Sequence, residues 1–166
     1  NLKQAAKTMN FLTEHGISNY GELESKLTAL SARRDTAHAE IKRIESRSAE
    51  LALVMKHAGT YRQLKPLYDR YRKSNDKEKF LRGHESEIIL FEAAARELKR
   101  LGAVPLPTTE SMKTELANLS AEKERLLAEY KTARTEAQEY ETVKQNVDAL
   151  LTVAKEQEQQ RRHELE

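Results

Sequence analysis

Residues 60–82 read TYRQLKPLYDRYRKSNDKEKFLR and set Tyr61, Tyr68, Tyr71 and Phe80 among Arg62, Lys65, Arg70, Arg72, Lys73, Lys77 and Lys79. Cations at this density neutralise phosphates, and aromatic faces accept stacked bases. These residues are therefore candidates for a nucleic-acid contact, to single-stranded or other DNA. From Lys56 to Arg82 there are nine basic residues and three acidic, a net of +6. The aromatics also fit a plainer role. Tyr61, Leu64, Tyr68 and Tyr71 recur at helical spacing, which favours an apolar stripe packed on Phe80, Leu81, Ile88, Phe91 and Leu98. The basic side chains reach phosphate under either reading.

A second candidate is Ile88-Ile89-Leu90-Phe91, four consecutive apolar residues that point all round a helix. One face packs inward. The other is either buried within the same helical knob, the reading favoured here, or left as a partner patch of Ile89 and Leu90.

Other chemistry lacks its residues. His15, His38, His57, His84 and His163 include no pair at i, i+3 or i, i+4, and the chain has no Cys. Two-His and thiolate metal sites are thereby excluded, and the histidines read as surface side chains. There is no Gly-rich phosphate loop, and carboxylates such as Glu22 and Glu24 belong to a solvated helix face. The expectation is no enzyme activity in this segment, with no catalytic residue, no cofactor and no metal.

The elements that must position these groups follow from composition. The 166 residues are 38% hydrophobic, 34% charged and 5% aromatic, with only 5 Gly and 3 Pro. Sandwiches and disulfide scaffolds are unlike this, and long helices with narrow apolar seams fit it. No apolar run approaches the roughly 18 residues of a membrane span, and no secretory signal is seen. A cytoplasmic protein without membrane insertion is expected. Charge is uneven: residues 1–83 carry 17 Lys and Arg against 10 Asp and Glu, a net of +7, and residues 84–166 carry 12 against 17, a net of −5. Side by side, the halves attract.

Leu2 to His15 reads as a helix stopped by Gly16, opening as if mid-helix with no cap before Leu2. Asn19 and Glu22 form a capping-box pair. From Leu23 the positions Leu27, Leu30, Arg34, Ala37, Ile41, Ile44, Ser48, Leu51, Met55 and Ala58 follow in alternating steps of four and three. That 3.5-residue repeat is a coiled-coil seam. A break or kink is expected at Gly59 and Pro66. Asn75 reads as the next cap, a short helix ends at Gly83, and another spans Glu85 to Leu101. Ala103 to Pro107 is an extended connector and Thr108 caps the last helix. There the seam resumes as Met112, Leu116, Leu119, Lys123, Leu126, Tyr130, Ala133, Ala137, Tyr140, Lys144, Val147, Leu151 and Ala154.

The fold class predicted is all-α, an elongated antiparallel coiled-coil hairpin with a small helical knob at its turn end. Its parts are a leading helix at 1–16, a first arm at 19–58, the knob and connector at 59–107, and a second arm at 108–164. Side-chain volume favours Leu30 opposite Leu151, Ile41 opposite Tyr140 and Ile44 opposite Ala137, with Lys144 facing Ala37 and Lys123 facing Ala58. The spacer and the opposite half-charges favour pairing within one chain. Pairing between chains, as a homodimeric coiled-coil scaffold, is the competitor.

Three stretches carry a family resemblance: AAKTMNFLTEHGISNYGELE near the start, YRQLKPLYDRYRKSNDKEKFLRGHESEIILFEAAARELKRLG in the middle, and LPTTESMKTELANLSAEKERLLAEYKTAR with TVKQNVDALL near the end. Over roughly residues 5–151 the chain resembles the C-terminal helical region of relaxases, the mobilisation nucleases of Gram-positive conjugative and mobilisable elements. The resemblance implies a bacterial accessory arm, joined to a catalytic domain in cis and used in DNA transfer. In such proteins an N-terminal domain carries the Tyr nucleophile and a His-rich metal site. That motif set is absent here, so Tyr61, Tyr68, Tyr71, Tyr130 and Tyr140 are not read as nucleophiles. The partners implied are the relaxase catalytic domain, proteins of the transfer machinery and origin DNA. A stand-alone nucleic-acid-binding module using residues 60–82 is the alternative.

Overall fold

A computed structural model describes residues 1–166 and contains four helices and no strand: α1 (Leu2–Glu14), α2 (Tyr20–Lys73), α3 (Lys77–Arg100) and α4 (Thr109–Leu165). The all-α class is as expected. None of these helices is long and apolar enough to cross a membrane. The chain divides into two compact units, one built from residues 1–40 and 125–166, the other from residues 41–124.

Helix ends follow local chemistry. Asn1 caps α1 by accepting from the Lys3 amide at 3.0 Å, so this helix does have a cap. It closes on Gly16 in the left-handed region (φ 65°), with the Ile17 amide donating back to the Leu12 carbonyl at 2.9 Å. Gly102 (φ 71°) closes α3 in the same way, through Ala103 to Leu98. A side chain at either position would strain the left-handed backbone. Asn19 accepts from the Glu22 amide at 2.9 Å, and the returning Glu22 carboxylate accepts from the Ser18 amide at 2.6 Å. The α3 cap is Asp76, which accepts from Lys79 at 3.1 Å, rather than Asn75. Thr108 caps α4 as expected, accepting from Ser111 at 3.1 Å.

The break expected at Gly59 and Pro66 does not occur; α2 passes through both to Lys73. The loss of one amide donor at Pro66 is outweighed by apolar packing of the same turns, with Leu67 buried one residue on. The break predicted at Gly83 appears instead as a kink within α3, at His84 (φ −138°, ψ 27°).

In the first unit, Leu23 and Leu30 of α2 form a core with Ala137, Tyr140 and Val143 of α4, flanked by Phe11, Leu12, Ile17, Leu27 and Val147. The helices run antiparallel: Tyr20 bonds Asp148 at 2.6 Å, and further along α2, Arg33 pairs with Glu129 at 3.9 Å. Leu30 therefore meets Ala137 rather than Leu151, a register two heptads from the predicted one. Leu151 is 48% exposed. A slip by whole heptads keeps the same stripe inward wherever the arms overlap and exposes only the overhanging end, here Leu151 and Ala154, so the repeat itself does not specify the register.

α1 is tied to α4 by a polar clasp the sequence did not announce. Thr8 is buried; its hydroxyl donates to the Gln4 carbonyl at 2.9 Å and accepts from Asn146 at 3.3 Å. Gln4 donates to Asn146 at 2.9 Å. Phe11 stacks on His15 at 3.9 Å and meets Tyr140 edge-on at 5.0 Å.

In the second unit the buried residues are Ile41, Ile44, Leu51, Val54, Ala58 and Leu67 of α2, Ile88, Phe91, Ala94 and Leu98 of α3, Ala103 of the connector, and Met112 and Leu119 of α4. Arg47 bonds both carboxylate oxygens of Glu115, at 2.7 and 3.1 Å, and Glu45 meets Lys123 at 3.7 Å. Lys123 thus finds a carboxylate instead of lying against Ala58. In the first unit Lys144 likewise bonds Asp148 at 3.4 Å and sits 5.8 Å from the Tyr20 ring centre, rather than facing Ala37.

The observed register separates two leucines that a hairpin two heptads out of step would treat alike. Leu30→Ala should cost about 2–4 kcal/mol, and Leu151→Ala less than about 0.5 kcal/mol, in urea unfolding. Equal costs would contradict this pairing.

Candidate nucleic-acid interface

The segment that sequence singled out spans the end of α2, the turn at residues 74–76 and the start of α3, all within the second unit. Its aromatic residues face inward and are engaged with one another. Tyr61 stacks on Phe91 (centroids 4.8 Å, planes 26° apart), and Tyr68 stacks on the same ring (4.2 Å, 24°). The chain of rings continues from Tyr68 to Tyr71 at 5.9 Å, to Phe80 at 6.0 Å and to His84 at 4.6 Å. Phe91 is only 5% exposed and the tyrosines are half-buried. The helical stripe Tyr61, Leu64, Tyr68, Tyr71 therefore packs against α3 at the margin of the core, half-buried around Phe91.

His84, expected on the surface, belongs to this packing. It is half-buried, and its Nδ1 is shielded from solvent without a hydrogen-bond partner; the Glu87 carboxylate lies 3.8 Å away, beyond bonding distance. The kink in α3 at this residue turns the imidazole onto Phe80.

The seven basic candidates divide into two groups. Arg62 donates to the Thr109 hydroxyl at 2.9 Å and to the Pro107 carbonyl, and so ties α2 to the connector ahead of α4. Lys65 is held by both oxygens of Asp69, at 3.0 and 3.1 Å. Arg70, Arg72, Lys73, Lys77 and Lys79 are exposed, and their side chains form no hydrogen bond or ion pair. They flank one short turn. Three carboxylates lie nearby: Asp69 is bound to Lys65, Asp76 is committed to the α3 cap, and Glu78 is exposed. Part of the cationic cluster has a local use, since positive charge in the last turn of α2 complements the partial negative charge of that helix end. The charges remain in water and available to an anion.

Ile89 and Leu90 lie elsewhere on α3 and are each 55% exposed. The favoured expectation, that the knob buries both faces of this run, is corrected. α3 covers one face of α2 with Ile88, Phe91, Ala94 and Leu98, and no element of this chain covers the opposite face.

Titration is governed by the interhelical pairs. The Arg47 guanidinium holds the Glu115 carboxyl below its ordinary value, and Glu115 in turn raises Arg47. In the first unit the Tyr20 hydroxyl, which donates to Asp148, lowers that carboxyl, and the same bond raises Tyr20. No group of three His, Cys, Asp or Glu side chains is placed to hold a metal ion.

No family model, curated protein or solved structure matches this chain.

A carboxyl depressed by folding stabilises the fold above its ordinary pKa, and that stabilisation disappears as pH falls through the depressed value. Arg47 and Glu115 are each about 40% exposed, so solvent screening limits the pair to about 0.5 kcal/mol. Glu115→Gln should therefore be less stable than the natural chain at pH 7, and the difference should close by about pH 3 in urea unfolding. A gap that persists at pH 3 would assign the effect to packing instead.

Proposed function

We propose that this chain is a non-catalytic accessory segment of a DNA relaxase, acting in conjugative or mobilisable-element transfer and touching DNA through the α2–α3 turn. The relaxase assignment rests on the sequence resemblance over roughly residues 5–151. The DNA contact rests on one structural observation: five cations, Arg70, Arg72, Lys73, Lys77 and Lys79, stand exposed and unpaired around a single turn. Other cations of the same unit, such as Lys42, Lys56 and Lys113, are unpaired too, but they stand singly, whereas these five are gathered around one turn. An unpaired cluster binds polyanions by releasing their condensed counterions. The segment would hold DNA near the nicking domain, with that domain and the transfer proteins as its partners.

Replacing all five with Glu should weaken salt-dependent DNA binding by at least about tenfold. Circular dichroism should show the helices retained. In a relaxase carrying this segment, the same changes should leave strand nicking intact and lower transfer. Binding that survives the replacement would remove the DNA contact.

A second reading, interaction with a protein, is favoured by the exposed pair Ile89 and Leu90. Such apolar exposure on a helix face marks contact surfaces. Ile89→Glu should abolish association with the transfer-machinery partner or with a second copy, as read by light scattering. Unchanged association would assign these residues to solvent.

A further inference from the structure

The state of the aromatic rings bears on which nucleic acid the turn can hold; this builds on the DNA contact proposed above. A protein that grips a single strand without sequence preference gives its bases free aromatic faces, each worth about 1–3 kcal/mol by alanine substitution. Here Tyr61 and Tyr68 are stacked on Phe91, and Tyr71 lies between Tyr68 and Phe80. A base could replace Phe91 only by exposing a ring that is now 5% exposed. Single-strand stacking would be limited to the outer faces of these half-buried rings, along the groove lined by Tyr61, Tyr68 and Arg72.

Five cations on long, solvated side chains remain. Duplex DNA presents about one phosphate charge per 1.7 Å of axis, and each contact releases about 0.9 counterion, against about 0.7 on a single strand. A cluster of free charge whose neighbouring rings are half-buried and engaged with one another gains more from the duplex. Arg62, which could have extended the cluster along α2, is turned to Thr109 and Pro107, and Lys65 to Asp69. The contact therefore centres on Arg70, Arg72, Lys73, Lys77 and Lys79, with the exposed Arg82 one turn further along α3. We infer that the α2–α3 turn is a clamp for the phosphate backbone of duplex DNA, indifferent to base sequence, and not a platform for single-stranded bases.

The test is fluorescence anisotropy of the 166-residue chain with a 20-base-pair duplex and a 20-nucleotide single strand, over about 50 to 200 mM NaCl. The duplex should bind more tightly, and two duplexes of unrelated sequence should bind within about twofold. The slope of log K against log salt should lie near −4.5 if all five cations engage, and Lys73→Gln should reduce it by about one. Tyr61→Leu keeps the apolar stripe and should change affinity less than about twofold. Tighter binding of the single strand, weakened severalfold by Tyr61→Leu, would overturn the duplex inference and leave the DNA contact standing. A slope unmoved by Lys73→Gln would also overturn it. No binding of either probe at 50 mM NaCl would remove both proposals.

Discussion

Both units depend on the burial of a narrow stripe of side chains where α2 and α4 lie antiparallel. Leu23, Leu30, Ile44 and Leu51 are almost wholly withdrawn from water, opposite a stripe on α4 that includes Met112, Leu119, Ala133, Ala137 and Tyr140. Each buried aliphatic side chain contributes about 1.5–3 kcal/mol, and few other apolar groups are available in a chain that is 34% charged. The two-in-seven pattern lets so polar a chain fold, because it concentrates sparse apolar groups on one line. The flanking ion pairs are exposed and individually weak, yet they agree in sign. Arg33, Arg43 and Arg47 of α2 meet Glu129, Glu122 and Glu115 of α4. Such pairs set which chain segments meet more than how tightly they hold.

The same economy decides the character of the candidate interface. A chain with so few aromatics uses Tyr61, Tyr68, Tyr71, Phe80 and Phe91 to close the angle between α2 and α3, where a two-helix seam alone would leave apolar surface wet. Once they serve that purpose, the surface around the turn is left with charge. Aromatic and basic residues that alternate along the sequence are sorted by the helix into opposite faces, one for packing and one for solvent. The proposed role follows from that sorting: electrostatic, tolerant of sequence, and sensitive to salt.

Much of the architecture was legible in one dimension. The heptad steps from Leu23 to Ala58 and from Met112 to Val147 mark residues that are all buried or half-buried, because a 3.5-residue repeat has one way to keep its apolar groups together, whereas the last two expected seam positions, Leu151 and Ala154, are exposed. Gly16, Asn19, Gly102 and Thr108 mark ends that the backbone respects, since capping is settled by groups three or four residues apart. The tyrosine stripe was readable as a packing face for the same local reason, and its members are half-buried.

What the chain order could not convey was distance. A slide of two heptads keeps the same stripe inward and moves only end positions such as Leu151 to the surface, so the pairing of Leu30 with Ala137 rather than Leu151 was settled by longer-range geometry. α1 docks through Thr8, Gln4 and Asn146, and the connector ahead of α4 is held beside α2 by Arg62. Pro66 stays within α2 because packing of that turn outweighs one missing hydrogen bond. Likewise, composition alone could list seven basic candidates. Lys65 and Asp69 form an i, i+4 pair already present in the sequence. Only the folded chain shows that Arg62 is occupied by Thr109 and Pro107, and that the five cations around the turn find no partner, because those contacts are between neighbours in space.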